Sequence, residues 1–410
     1  MKIIIDKKLF YISAAIILFG LVMVFSASAS FAKNSNLSAH YFAQKQTFIV
    51  LIGLLLAYIV TQIPVKFWQE TRVLFLFFAL LLLVAVFIPG IGKTINGSTR
   101  WIYLGGMGLQ VSELAKLLVF IYFAGYLTYH EKKVANSFLG FIKPFILIGF
   151  VCVLILLAKD LGTTIVVMVT AMGMAFMARA KFHYFLTLFI VNGVGIYLLT
   201  VTSAYRKARL MSFVDPWQDT YGAGYQLTQS LIAIGSGKWF GAGLGNGVQK
   251  LLYLPEAYND FIFAVFSEEF GFIGIVLLVG IFSMLIYRMM QISLEAQSCN
   301  LKFNAYLGYG ISFWFALQVI IHMGVNLGIL PTTGLTLPLV SYGGSSILVM
   351  VTALAFMFRI SYETKKYSVT DAKAKEKNKD KKIIDSNHKI DRIFMDYNKN
   401  TASVLKNEYK

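Results

Sequence analysis

Residues 261–287 read FIFAVFSEEFGFIGIVLLVGIFSMLIY, and Glu268 and Glu269 are the only charges in that stretch. A helix needs about 20 apolar residues to cross a bilayer core, and this run exceeds that. Nine others approach it: 10–27, 48–63, 73–88, 113–129, 141–157, 163–177, 184–202, 307–329 and 341–360. In lipid the backbone must satisfy its own hydrogen bonds, so these runs are expected as helices. Composition agrees, with 57% hydrophobic and 14% charged residues and a mean hydropathy of +0.68. Soluble chains hold about 45–50% apolar and roughly 25% charged residues. The expected fold is an all-α polytopic membrane protein of about ten transmembrane helices, with a long extracytoplasmic loop before the eighth. A membrane domain is expected over 1–360, its large outer loop at 203–260, with a basic, disordered cytoplasmic tail over 361–410.

Ala27-Ser28-Ala29 resembles a signal-peptidase site. Its apolar run is longer than a secretory core and nine more follow, so the segment is expected to stay as a span. Lys and Arg set the orientation. Lys2, Lys7 and Lys8, the loops with Lys66, Arg72, Lys132, Lys133, Arg179, Lys181, Arg288 and Lys302, and the lysine-rich tail all fall on one side. Both termini are therefore expected in the cytoplasm. The net charge of +17 is mostly this topology signal plus a tail suited to anionic lipid. Nothing supplies a nucleic-acid-binding fold. Cys152 lies in a span and Cys299 in an inside loop, which excludes a disulfide framework, and neither has metal-ligand spacing.

Two outer segments are long, 89–112 and 203–260. Loops of that length in a compact protein are functional or disordered, and the second is too rich in Trp, Tyr, Leu and Gly for disorder. Within it Leu227, Leu231 and Ile234 recur opposite Gln226, Gln229 and Ser230, which predicts a short amphipathic helix at the membrane surface. The run GSGKWFGAGLGNG (235–247) fails as a nucleotide motif, because Lys238 is followed by Trp239 and no βαβ unit surrounds it. It predicts a chain that turns repeatedly and lets its backbone approach something closely.

The same loop ends in YLPEAYNDFIFAV (253–265). Pro255 suits a helix start, which would put Glu256 and Asp260 on one face. Two neighbouring carboxylates raise one pKa, as a general base requires; a capping carboxylate with a solvated neighbour is the commoner arrangement. Glu268 and Glu269 inside a span mark a site by default, or need a partner such as Lys116. Glu113 and Lys116 have ion-pair spacing. Asp160 reads as a helix cap or a site residue, with capping ahead. Arg100, beside Trp101, and Arg206, Lys207 and Arg209 are basic residues on the outer face, suited to phosphate or to snorkelling. His322 is expected to make an interhelical hydrogen bond.

Together GSTRWI (97–102), SELAK (112–116), DLGT (160–163), DPW (215–217), GYQLTQSLIAIGSG (224–237), YLPEA (253–257), DFIFAV (260–265) and LTLPLVSYGGSS (335–346) resemble the SEDS (shape, elongation, division and sporulation) family of peptidoglycan polymerases. GLGNGVQKL (243–251) and the PEA triplet are closer to its cell-division branch than to its elongation branch. The resemblance implies a glycosyltransferase that joins lipid II into glycan strands during septal wall synthesis in the bacterial cytoplasmic membrane. It implies Asp260 as general base, deprotonating the acceptor 4-hydroxyl for attack with inversion at the donor anomeric carbon. Arg206 and Arg209, with Arg100, would stabilise the undecaprenyl pyrophosphate leaving group, and Lys250 and Glu256 would flank the same groove. Trp101 would line the substrate path, with Glu113, Lys116, Asp160, Glu268 and Glu269 shaping the site. No organic cofactor is implied; a divalent cation such as Mg or Mn could assist. Implied partners are lipid II and the undecaprenyl-linked strand, a class B penicillin-binding transpeptidase, and membrane proteins of the FtsQ, FtsL and FtsB type. The chain departs from the branch in carrying Tyr258-Asn259 where His-Thr is usual, and Thr333 where Lys is common. The alternatives are a lipid II flippase, suggested by Glu268 and Glu269, and a non-catalytic divisome scaffold.

Overall fold

The computed structural model describes residues 6–371 except 96, 97, 105, 106, 202–210 and 223. The chain divides into two compact units, Met1–Ser361 and Tyr362–Lys410. The helices are α1 (Lys7–Asn34), α2 (Tyr41–Gln62), α3 (Val65–Glu70), α4 (Arg72–Ala85), α5 (Val111–Asn136), α6 (Phe138–Leu157), α7 (Leu161–Met177), α8 (Phe182–Val201), α9 (Tyr225–Ser236), α10 (Ile262–Ser298) and α11 (Lys302–Asn326). The last helix is α12 (Gly344–Asp371). Among the described residues seven helices are long and apolar enough to cross a membrane: α1, α2, α5, α6, α10, α11 and α12. Arg72–Ala85, Leu161–Met177 and Phe182–Gly195 are apolar but shorter. The chain is a multi-pass helical membrane protein.

Burial separates the helices into a centre and a rim. The most apolar windows of α5 and α11 are each 78% buried, whereas those of α2 and α10 are 28% buried. A helix apolar all round that still faces outward is solvated by lipid. Accordingly α10 exposes Phe272, Val276 and Leu277, while α11 packs on α5, α7 and α10. Polar side chains fix the ends. Asp6 caps α1 through Leu9 N at 3.1 Å and receives Arg288 from α10 at 2.6 Å. Arg288 also reaches Glu295 at 2.9 Å, which completes a charge cluster at that end of the bundle.

The segment after α4 is not an open loop. It forms an antiparallel meander of β1 (Gly92–Ile95), β2 (Ser98–Leu104) and β3 (Met107–Gln110). The register pairs Lys93 with Trp101 and Trp101 with Gln110. The Ser345 hydroxyl, at the start of α12, donates to Gly108 O at 2.9 Å and accepts from Gln110 N at 2.7 Å. The predicted amphipathic helix is present as α9, but it packs on α10. Its Ser230 hydroxyl donates to Asn326 O at 2.9 Å, and Leu227 and Leu231 close over Gly328.

Candidate active site

Asp260 sits in the turn before α10, partly exposed, in a small cleft lined also by Gln226, Phe261, Val325, Thr332, Thr333 and Gly334. Three backbone segments meet there. The non-helical segment 331–343 is tied to the Asp260 turn by Ser341 Oγ donating to Asn259 O at 2.8 Å and by Tyr342 N donating to Tyr258 O at 2.9 Å. Gly334 has φ +75°, and a methyl there would lie 3.4 Å from Asp260 Oδ2. On the other side of this segment the α7 start comes close, since a methyl on Gly162 would lie 3.1 Å from Thr333 Cβ. Asn326 holds the turn from below. Its amide donates to Asp260 O at 3.1 Å and to His322 O at 2.9 Å, and its oxygen accepts from Ala264 N at 3.1 Å.

The helix expected from Pro255 does not form; residues 255–261 are turns and α10 begins at Ile262. Glu256 adopts φ +55°, and its carbonyl accepts from Asn259 N at 3.0 Å and Phe261 N at 3.2 Å. Glu256 and Asp260 therefore do not share a helical face. The left-handed turn wins because it lets the chain reverse before α10 with its carbonyl satisfied. Glu256 Oε2 accepts instead from Asn259 Nδ2 at 3.4 Å.

The other acidic residues singled out from sequence are buried and engaged. Asp160 caps α7 through Thr163 N at 3.2 Å, accepts from Ser112 Oγ at 2.8 Å, and pairs with Arg100 at 3.4 Å. It thus acts as a cap and as the anchor of the meander. Glu113 pairs with Lys116 at 2.8 Å, and Lys116 also donates to Gln318 at 3.2 Å beneath the Trp314 ring. Gln318 in turn donates to Thr336 O at 3.0 Å, so this buried network supports the segment that carries Gly334. Glu268 accepts from Val248 N at 2.7 Å and Gln249 N at 3.1 Å. Glu269 takes Lys250 as its ion-pair partner and accepts from Ser26 at 2.7 Å. Lys116 is thus not the partner of either intramembrane glutamate. Lys250 is buried against Glu269, and does not face a groove beside Asp260 as the resemblance implied.

Trp101 lies partly exposed on β2, its ring 3.2 Å from the position of a methyl on Gly108. His322 does not bond another helix; its Nδ1 meets Leu335 O at 2.7 Å, while its buried Nε2 has no partner among the described residues. Arg206 and Arg209 lie outside the described residues, and Lys207 with them. Tyr258 packs among Phe31, Phe42 and Tyr342. Burial, then the nearby charges of Glu256, Tyr342 and Asp260, raise its phenol well above the ordinary 10.0. Among the described residues no three His, Cys, Asp or Glu cluster to hold a metal ion. A roomier cavity lies between α10 and α11, lined by Val279, Phe282, Ile286, Val319, Met323 and Leu330. Its lining is apolar, whereas the cleft at Asp260 is lined by polar side chains.

Sequence reading overlooked Asn326 as an anchor, and also Gln226 and Gly334. The signal for Gly334 was a glycine within a proline-bounded polar stretch; Asn326 gave none, because its partners in the Asp260 turn and at the start of α10 lie 66 and 62 residues away.

Residues 6–366 match the model of the cell cycle protein family of FtsW, RodA and SpoVE. A probable peptidoglycan glycosyltransferase FtsW of Thioalkalivibrio sulfidiphilus is 47% identical over 345 residues, 84% of this chain and 86% of its own length. Its counterpart in Legionella pneumophila is 45% identical over 88% of this chain and 91% of its own. Among solved structures, a chain of a peptidoglycan synthase complex that coordinates polymerization and crosslinking is similar with a TM-score of 0.74. It is 26% identical over 88% of this chain and 99% of that one.

Proposed function

The chain belongs to the cell cycle protein family of FtsW, RodA and SpoVE, the SEDS glycosyltransferases, and from that premise we propose that Asp260 is its general base. The protein is a peptidoglycan glycosyltransferase of the membrane, whose reaction joins lipid II units into glycan strands. The observation that carries the assignment is the state of its carboxylates. Glu113, Asp160, Glu268 and Glu269 are buried in pairs and caps, while Asp260 is partly exposed and lines the polar cleft.

The acceptor 4-hydroxyl enters the cleft and gives its proton to the Asp260 carboxylate. Its oxygen forms the new bond to the donor anomeric carbon from the face opposite the pyrophosphate, with inversion. The undecaprenyl pyrophosphate leaves with the bonding electron pair and needs positive charge, not a proton. Arg206 and Arg209 are proposed for that charge. Arg100, held by Asp160, supplies it from the meander side, with Trp101 beside it. Lys250 and Glu256 are proposed only to shape the loop that borders the cleft. A divalent cation such as Mg or Mn would assist by neutralising the pyrophosphate, and no step is routed through it.

Both termini are proposed to be cytoplasmic, with the cleft on the opposite face and the protein enriched at the septum. The proposed partners are a class B penicillin-binding transpeptidase and activators of the FtsQ, FtsL and FtsB type. The apolar groove between α10 and α11 offers a single membrane helix a matching surface. The flippase alternative loses its support, since Glu268 and Glu269 serve loop amides and Lys250. The test is purified chain, alone and with its transpeptidase, given lipid II. Glycan strands from wild type, and none from Asp260→Ala, are expected. Translocation of lipid II in liposomes without any glycan product would favour the flippase.

A further inference from the structure

The glycine-rich run that failed as a nucleotide motif has a different use. At Gly271 the backbone takes φ +65° and α10 is interrupted. In a continuous helix Phe272 N and Ile273 N would donate to Glu268 O and Glu269 O. Here those carbonyls accept from Ala242 N at 2.9 Å and Gly243 N at 3.0 Å. Phe272 N and Ile273 N donate instead to Lys238 O at 2.9 Å and Trp239 O at 3.1 Å. The loop 238–243 is thereby spliced into the helix, with all four backbone groups satisfied. Glycine is required for this approach: a methyl on Gly237 would stand 2.1 Å from Ser267 O, and one on Gly241 2.1 Å from Glu269 O.

The length of α10 beyond the splice matches the thickness of a membrane core. The apolar run of α10 ends at Tyr287 and Arg288, seventeen residues after Gly271. At about 1.5 Å per residue that is roughly 25 Å, inside a hydrocarbon core of about 30 Å. Irregular backbone is tolerated there only when its polar groups are paired within the protein, as they are here. The loop carries two large side chains outward, Trp239 at 64% and Phe240 at 81% exposure. Trp239 packs edge-on against Phe272 with centroids 5.2 Å apart, so the pair extends the lipid-facing strip of Phe272, Val276 and Leu277. Exposed Lys238 stands beside them, the cation and indole pairing favoured where acyl chains meet phosphates.

We propose that residues 238–243 are a re-entrant loop immersed in the membrane leaflet nearest Asp260, with Trp239 and Phe240 among lipid acyl chains and Lys238 at the headgroup phosphates. The loop sets the depth of the half-helix 262–270, and with it the height of Asp260 above the bilayer. Continuity with the lipid-facing strip of α10 identifies the occupant as bilayer lipid. The proposal does not depend on which residue is the catalytic base.

The test places a nitroxide at Phe240→Cys, in the full chain with Cys299→Ser, reconstituted in phospholipid nanodiscs without substrate or partner. Ser35→Cys, exposed in the polar turn Lys33–Asn36 that follows the apolar run of α1, provides the aqueous control. The ratio of oxygen to nickel-chelate accessibility is expected to be severalfold higher at 240 than at 35. Equal ratios would overturn the proposal. Should the labelled chain fail to fold, Trp239→Phe in unlabelled protein answers the same question. Brominated lipid should quench wild-type fluorescence more than the variant's, and equal quenching contradicts the immersion.

Discussion

The Asn326 side-chain amide donates to the Asp260 carbonyl at 3.1 Å while its oxygen accepts from Ala264 N at 3.1 Å. One fully buried residue of α11 thus closes the start of α10 and fixes the turn that presents Asp260. Asn326→Leu keeps the volume but removes the donor to Asp260 O and leaves Ala264 N only its second acceptor, Phe261 O at 3.0 Å, at a cost of about 1–3 kcal/mol. The expected result is a lowered unfolding temperature together with a large loss of polymerisation. Unchanged activity in a stable variant would show that the clamp does not position the carboxylate.

Lys250 and Glu269 form a buried pair with Ser26. Lys250→Met should leave Glu269 charged and without its cation, a loss of about 3–5 kcal/mol. The double variant Lys250→Met with Glu269→Gln should be more stable than Lys250→Met by itself. Thermal unfolding in detergent checks the ranking, and an additive result would return Lys250 to a role with substrate.

Gly334 is left-handed, and its Cα faces the Asp260 carboxylate. Alanine at that φ costs roughly 1–2 kcal/mol and sets a methyl against the carboxylate. Gly334→Ala should therefore reduce the rate at saturating lipid II more than it shifts the melting temperature. Equal polymerisation by variant and wild type would separate this segment from the chemistry.

Burial first, then Glu256, Tyr342 and Asp260, raise the Tyr258 pKa above its ordinary value. The folded state holds this proton longer than the unfolded one. Its stabilisation is thus whole below the ordinary value of 10.0 and is lost as pH climbs through and beyond it. Tyr258→Phe should leave the pH–rate profile unchanged between about pH 6 and 9 and flatten the alkaline loss of stability. Tyr258→His should add an inflection near about pH 6.5. Rate profiles of the three proteins, with melts from neutral to alkaline pH, decide the matter.

Helical membrane architecture was legible because apolar runs such as 261–287 have no other stable solution in lipid. The close approach of the 235–247 glycines was legible too, since Gly237 and Gly241 do meet another backbone. Asp160 read correctly as a cap. The meander over 92–110 was not foreseen, because its strands are short and interrupted by glycine, without a clear two-residue alternation. Glu256 was misplaced because a proline before an acidic residue suits a helix start and a turn equally well. The pairing of Lys250 with Glu269 and the grip of Asn326 on Asp260 and Ala264 are tertiary facts, and no local pattern encodes them.

The central claim is that the Asp260 carboxylate takes the acceptor proton. Asp260→Asn preserves its size and removes its charge, so the most direct measurement is lipid II polymerisation by this variant at an unchanged melting temperature. A fall of about 10²–10⁴-fold is predicted, the range expected for loss of a general base. Glycan strands made at the wild-type rate would contradict it.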